Sequence, residues 1–315
     1  MNLSSFKSYW QKYGTVVILV FMILIIGSLS PKYFLTSENL TQIVLQSSVT
    51  ILIAIGEFFA ILIAGIDLSV GSIIALTGLV TAKLLLTHMP ILLAILLGGI
   101  LLGMLLGIIN GALTNLTGLH PFIITLSTQA IFRGVTLILS DARPVYGLPN
   151  GFIASVGGWI WKIPIPAIIA LSFAGLMSFV TQKTKAGRNL YAIGGNKNAA
   201  WYNGIPVKSH ILLAFVISGI ASGIAGVVMV SRLGAAEPLA GVGFETYAIA
   251  SAIIGGTSFF GGVGKISGVV VGGLIIGVIN NGLNILNVPT FYQQIVMGIL
   301  IIASVFLDHL VSRKK

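Results

Sequence analysis

The 315-residue chain has no cysteine, which removes disulfides, thiol nucleophiles and cysteine metal sites from consideration. Charge is nearly as scarce. Only 8% of the residues are Asp, Glu, Lys or Arg, against about a quarter in soluble proteins, too few to solvate a globular surface. Acid is scarcest, 7 Asp and Glu against 17 Lys and Arg. The four histidines, His88, His120, His210 and His309, are scattered and show no HExxH or similar ligand spacing. The glycine-rich stretches do not make a phosphate cradle either. FFGGVGKIS contains Gly264-Lys265, but Phe259 and Ile266 stand where GxxxxGK[ST] requires Gly and Ser or Thr. Gly262-Val263-Gly264 misses GxGxxG, since the next glycine is Gly268. Walker-type ATP hydrolysis by this chain is therefore excluded, and energy for any transport has to come from an ion gradient or a partner. No Gly-x-Ser-x-Gly elbow and no aspartate pair within spans points to an intramembrane protease.

What is abundant is apolar surface, 56% of the residues. Runs such as Thr15 to Ser28, Ile91 to Ile109, Ile211 to Val230 and Val269 to Ile285 approach the roughly 20 apolar residues a membrane crossing needs. The pattern predicts an all-α polytopic membrane protein with ten spans: about 14–30, 41–64, 70–87, 91–114, 121–140, 163–181, 209–231, 244–259, 266–286 and 291–310. The first follows Lys7 and Lys12, lacks a clear small-residue cleavage site before Pro31, and reads as a retained signal-anchor.

The net charge of +10 is read as topology, with no nucleic-acid partner implied, because the basic residues sit between spans. Placing both termini in the cytoplasm puts Lys7, Lys12, Lys183, Lys185, Arg188, Lys197, Lys208, Lys265, Arg313, Lys314 and Lys315 inside. Lys32, Lys83, Arg143, Lys162 and Arg232 then fall outside or near the outer ends, and Arg133 is undecided. A basic, acid-free loop over about 182–208 is expected on the cytoplasmic side and an external loop over about 141–162.

The two halves repeat at an offset of 170 residues: Gly103, Gly107, Asn110, Thr114 and Thr117 fall on Gly273, Gly277, Asn280, Asn284 and Asn287, Asp67 on Glu237 and Gly71 on Gly241. Phe122 and Phe291 follow at 169. An odd number of spans separates the copies, so the halves are expected to be inverted, an architecture of alternating-access transporters. Asn110, Thr114 and Thr117 share one helix face, as do Asn280, Asn284 and Asn287. These uncharged stripes suit either a path for a neutral, hydroxyl-rich solute, gripped weakly, or hydrogen bonding between helices. Gly99, Gly103, Gly107 and Gly111, like Gly264, Gly268 and Gly272, recur every four residues and are assigned to close helix packing. Asp67 and Glu237, beside helix-breaking glycines, are structural or gating candidates, with helix N-capping as the preferred reading. Glu57 lies inside the second span and has to face protein or a water-filled cavity, where proton coupling is an open alternative.

Four segments carry a family resemblance: AGIDLSVGSIIALTG at Ala64 to Gly78, GRNLYAIGGNKNAA at Gly187 to Ala200, IGGTSFFGGVGKISG at Ile254 to Gly268 and NNGLNILNVPTFYQQIV at Asn280 to Val296. Together they make the chain resemble, over nearly its whole length, the permease subunits of bacterial ribose-type monosaccharide ABC importers, most closely ribose permeases. The resemblance implies a single permease domain over 1–315 in the inner membrane. It also implies a second permease copy, a cytoplasmic ATPase with two nucleotide-binding domains that holds the ATP and Mg, and an extracytoplasmic sugar-binding protein. A short helix in a cytoplasmic loop of such permeases fits a groove on the ATPase, and GGNKNAAWYNGI is the candidate here. Gly194-Gly195 are expected to turn, Asn196 to cap, Ala199, Ala200, Trp201 and Tyr202 to form the helix, and Gly204 with Pro206 to end it. The family pattern has a basic residue and Leu-Ser after the two alanines, where this chain has Trp201-Tyr202-Asn203. Three other readings stay open: a loop that only binds anionic lipid, an ion-coupled secondary transporter using Glu57 and Asp67, and a non-transporting scaffold.

Overall fold

A computed structural model describes residues 3–312, with side chains from Tyr13 to Phe306 and at Asp308. The expected topological charges at Lys7, Lys12, Arg313, Lys314 and Lys315 lie outside the described side chains. Apart from a two-stranded hairpin, the described elements are helices: α1 (Leu3–Leu29), α2 (Pro31–Phe34), α3 (Ser37–Leu62) and α4 (Val70–Leu86) come first. α5 (Ile91–Ala94) runs through a π-helical stretch, Ile95–Leu101, into α6 (Leu102–Thr117), and α7 (Pro121–Ser140) follows. The expected external loop holds α8 (Asn150–Gly157) and β1 (Trp159–Ile160), which pairs antiparallel with β2 (Ile163–Pro164). Then come α9 (Ile165–Lys183), α10 (Lys185–Gly195), α11 (Lys197–Tyr202), α12 (Val207–Leu233), α13 (Phe244–Ile254), α14 (Ile266–Ile285) and α15 (Thr290–Ser312).

Six of the described helices are long and apolar enough to cross a membrane, counting α5 to α6 as one rod, and α1, α4, α13 and α15 supply shorter apolar stretches. The expected ten rods are present in order, with one correction. The span expected over 244–259 is α13, which has 11 residues and reaches only about 17 Å, roughly half of a hydrocarbon core. Gly255 and Gly256, the latter at φ +88°, end it early, and a loop replaces its last third.

The repeat is visible in the packing. The offset of 170 carries α3 onto α12, α4 onto α13, α6 onto α14 and α7 onto α15. The contacts pair accordingly: α12 lies along α6 as α3 lies along α14, α4 on α12 as α13 on α3, and α4 on α7 as α13 on α15. α12 follows α3 by five rods, the odd step that inverts one half relative to the other. Gly71 and Gly241, equivalent under the offset, touch across the centre, and a Cβ on Gly241 would lie 3.1 Å from the Gly71 Cα. α1 and α9 do not join this scheme. α1 packs on α14 and α2, whereas α9 packs on α3 and α10.

The core forms around α3 and α12. Every residue from Ser47 to Leu62 is buried, consistent with a helix that is apolar all round. Close approach of α6 and α12 depends on missing side chains: a Cβ on Gly107 would meet the Phe215 carbonyl carbon and Val216 Cα, both at 2.9 Å. A Cβ on Gly175, on α9, would meet nothing within 4 Å. Gly107→Leu is therefore expected to abolish recovery of monodisperse protein from detergent, while Gly175→Leu retains it. Size-exclusion profiles of the two variants check this, and equal recovery would show that the α6–α12 contact is not required.

Candidate functional site

Between α3 and α4 the chain leaves the helix for seven residues, Ile63 to Ser69, and a polar node assembles there. Asp67 is at its centre and is fully buried. Its Oδ1 accepts from the Ser69 N–H (3.0 Å) and the Ser69 hydroxyl (2.6 Å). Its Oδ2 accepts from the Ser218 hydroxyl of α12 at 2.7 Å. The Asp67 N–H donates to Glu57 Oε1 of α3 at 3.1 Å. From Ser69 the network runs on: Asn110 Nδ2 donates to Ser69 Oγ (2.8 Å), and the Thr128 hydroxyl of α7 donates to Asn110 Oδ1 (2.7 Å). Four helices and one link are thus held by a chain of side-chain bonds with no exposed member. In a low-dielectric interior such a network is rigid when complete and costly when broken.

The equivalent link in the second half, Gly234 to Gly243, lies against the first turn of α4 at Gly71. Arg133 on α7 joins them. Its Nη1 donates to the Pro238 and Ala240 carbonyls (2.6 and 2.9 Å), and its Nη2 to the Gly71 carbonyl (3.2 Å). Nearby, Gln129 Nε2 donates to Glu245 Oε1 at 3.3 Å.

Several expectations change here. Asp67 does not cap α4, because Ser69 occupies the N-cap position and Asp67 stabilises the link before it. Glu237 does not cap α13 either, since the N-cap is Gly243 at φ +81°. Asn110 belongs to the buried node, and Thr114 returns its hydroxyl to the Asn110 carbonyl at 2.8 Å. Thr117 is exposed at the end of α6 and bonds the Leu113 carbonyl. On α14, Asn280 is half-buried, with its Oδ1 unpaired, and Asn284 is exposed. Asn287 lies past the end of the helix at φ +55°, so, against expectation, it does not share their helix face. Asn284 Oδ1 accepts from Gln293 Nε2 at 2.8 Å. The two stripes are equivalent in sequence and differ in surroundings.

The second polar feature is the basic stretch after α9. Thr184 caps α10 by accepting from the Gly187 N–H at 3.1 Å. Gly194 and Gly195 do not turn: both belong to the last turn of α10, and the chain breaks at Asn196, whose backbone is extended. Asn196 Oδ1 accepts from the Ala199 N–H at 2.9 Å and caps α11. Asn203 Nδ2 donates to the Ala199 carbonyl at the other end (2.8 Å), and Gly204 at φ +77° turns the chain back towards α12. Within α11, Ala200 is buried, while Trp201 and Tyr202, 64% and 80% exposed, have their rings edge-to-face. Tyr191 on α10 donates to the Gly264 carbonyl at 2.8 Å, and burial raises its ionisation above the ordinary tyrosine range, so it stays a donor.

Residues 39–305 match the family model described as a branched-chain amino acid transport system permease component. The chain belongs to that permease family. The D-allose transport system permease of Escherichia coli K12 is 62% identical to it, over 98% of this chain and 95% of the relative. The ribose import permease of Bacillus subtilis is 43% identical over 96% and 94%, and the L-arabinose transport system permease of E. coli K12 is 36% identical over 99% and 94%. No solved structure matches. Family membership accounts for the four sequence segments, and the geometry shows what they build. AGIDLSVG is the link bearing the node, and GGNKNAA is the end of α10 and the start of α11. IGGTSFFGGVGK is the loop that Tyr191 reaches.

Sequence reasoning missed Ser69, Thr128, Ser218 and the central place of Arg133. Lone hydroxyls have no distinguishing spacing, but an arginine as the one charged residue of a 20-residue span was a usable signal. It also missed the reciprocal amide pair Asn39–Asn281, bonded at 3.0 and 2.8 Å between α3 and α14. Asn110→Leu would strip partners from Ser69 and Thr128 at a cost of about 1–3 kcal/mol. Its thermal midpoint in detergent is expected to drop clearly, whereas Asn280→Leu, which removes an unpaired buried oxygen, should stay close to the parent protein. Equal drops would place both residues in the same structural role.

Proposed function

We propose that this chain is the membrane permease subunit of an ATP-driven importer that moves a monosaccharide into the cytoplasm. The single observation that carries the reading is family membership over residues 39–305, joined to relatives named as permeases for D-allose, ribose and L-arabinose. The sugar we favour is an aldose of the allose and ribose type, with D-allose ahead of ribose, because 62% identity to the allose permease stands well above 43% to a ribose permease. D-allose repeats the hydroxyl configuration of D-ribose with one more carbon, so one weakly binding path suits both. Asn280, Asn284 and Asn287 are the path-lining candidates that the node has not absorbed.

The partners follow from the same reading. A cytoplasmic ATPase with two nucleotide-binding domains supplies ATP and Mg chemistry, an extracytoplasmic binding protein delivers sugar, and a second copy of this chain completes the pore. α10 and α11 form the docking element for the ATPase, with Trp201 and Tyr202 as anchors of the kind that dominate protein interfaces. The positive-inside pattern supports both termini and this element being cytoplasmic, and Lys265 follows the loop that packs on α10, on the same end of the bundle. A rival, ion-coupled reading would rest on Glu57 and Asp67, both of which lie in the node, Asp67 with both oxygens bonded and Glu57 with one oxygen unpaired.

Reconstitution in liposomes with the partner ATPase and binding protein is expected to give ATP-dependent uptake of labelled D-allose, with ribose and arabinose as comparators. Uptake driven by a proton gradient without ATP would overturn the importer reading. Trp201→Ala is expected to weaken ATPase capture by roughly tenfold or more, the range for truncating an aromatic anchor, while the permease keeps its thermal midpoint. Unchanged capture and uptake would remove the docking role from α11.

A further inference from the structure

The repeat fails at one connection. Four residues, Thr87 to Pro90, join α4 to α5 in the first half, whereas eleven, Gly255 to Lys265, join α13 to α14 in the second. The longer connection is a compact loop. The Ser258 N–H donates to the Val263 carbonyl and the Gly261 N–H to the Ser258 carbonyl, both at 3.0 Å. Gly256, Gly261, Gly262 and Gly264 have φ of +88°, +87°, +72° and +152°, so side chains are disfavoured at four positions of one short segment.

Three parts of the protein hold this loop. On one side is α10. The Tyr191 hydroxyl donates to the Gly264 carbonyl, and a Cβ on Gly194 would fall 3.0 Å from the Gly262 Cα. The contact is backbone on backbone, with no flexible side chain between to absorb a displacement. Below lies the end of α3, where the Gly262 N–H donates to the Leu62 carbonyl at 3.0 Å, and a Cβ on Gly261 would stand 2.9 Å from the Ala64 nitrogen. Those residues open the link that carries Asp67. On the far side is α15. Asp308 Oδ2 accepts from both the Ser258 hydroxyl and the Phe259 N–H, each at 3.0 Å.

We infer that the loop from Gly255 to Gly264 is the relay that passes movement of α10 and α11 into α13, α14 and α15, with Tyr191 and Asp308 as the positioning residues that tether its two sides. The inference rests on α10 and α11 being the ATPase docking element. A displaced α10 pushes Gly261 and Gly262 directly, the glycines let the loop change conformation at low cost, and Asp308 makes α15 follow. A hinge of a few permissive residues between rigid rods is a recognised way to turn a local push into a helix shift. The first half has no such loop; α10 meets that half at the end of α3, where the Leu62 carbonyl also lies against Gly194.

The test uses the complete complex of permease, ATPase and binding protein in liposomes, reading sugar transported per ATP hydrolysed, ATPase capture, and the thermal midpoint. Tyr191→Phe and Asp308→Ala are expected to lower sugar per ATP by roughly fivefold, within the range of coupling-network substitutions, with the ATPase still captured. Asp308→Asn, which keeps an acceptor oxygen, is expected to recover most of the loss. Because the chain has no cysteine, Ser258→Cys with Asp308→Cys can be bridged by a short, reducible bifunctional thiol reagent. The unbridged double variant should show the same low sugar-to-ATP ratio as Asp308→Ala; bridging, which replaces the lost tether, should raise it towards the parent value, and reduction should lower it again. An unchanged sugar-to-ATP ratio, or a loss that merely tracks a fall in thermal midpoint, would overturn the relay and leave the loop a packing element. Failure of the docking reading would show separately, as ATPase capture that ignores Trp201→Ala.

Discussion

Backbone that leaves a helix inside a membrane protein must find all its hydrogen bonds within the protein, and the link from Ile63 to Ser69 is where this chain meets that constraint. The Ala64 and Gly65 N–H groups return to the Ile61 and Ala60 carbonyls. The Ile66 carbonyl accepts from Thr125, and the Asp67 N–H goes to Glu57. Ser69 then finds Asp67 with both its N–H and its hydroxyl. Glu57 of α3 and Thr125 of α7 complete this accounting, and Ser218 of α12 bonds the Asp67 carboxylate, so satisfying one short link fixes the mutual placement of three rods. Burying two carboxylates in the node is expensive, and a well-packed apolar substitute is often as stable. What the polar version adds is a defined geometry, since each oxygen of Asp67 has its own named donor.

The large-scale fold was legible because it rests on periodic properties. Apolar length revealed the rods, and the 170-residue offset revealed the two-fold, since glycines that permit one helix contact must recur wherever that contact recurs. Gly107 against Phe215 and Gly277 against Ser47 are the two instances of one rule. The site was less legible. Asp67 and Glu237 share an offset and both sit near a helix start, yet neither caps one. Capping requires the carboxylate to be the residue at the helix boundary, and that boundary falls at Ser69 and Gly243. A two- to six-residue shift of a helix start lies below what apolar patterning resolves. Ser218 and Thr128 were invisible for another reason: a single hydroxyl on a helix most often bonds its own backbone, and only the approach of a distant link gives it another partner.

The same limit explains the unequal fate of the two polar stripes. Asn110 and Asn280 match under the offset, but the residues opposite them do not. Asn110 faces Ser69 and Thr128, and adding 170 to those positions gives Leu239 and Gly298, neither with a polar side chain. Symmetric backbones therefore carry an asymmetric chemistry, one stripe consumed in holding the fold and the other left with unspent hydrogen-bonding capacity at Asn280.

That asymmetry has a direction. The first half carries the link at the centre of the node and only four residues between α4 and α5, while the second half has a shortened α13, a glycine loop beside α10 and an unpaired oxygen at Asn280. Buried unpaired oxygens occur in both halves, Glu57 Oε2 among them. An alternating-access protein needs one part that stays fixed and one part that yields, because two equally stiff halves would resist any push and two equally soft halves would dissipate it. The side chains of the node come from α3, the α3–α4 link, α6, α7 and α12, and none comes from α13, α14 or α15. The backbone contact at Gly194 and Gly262 is where α10 meets the glycine loop, and the Leu62 carbonyl, which accepts from Gly262 and also lies against Gly194, is where both meet the end of α3.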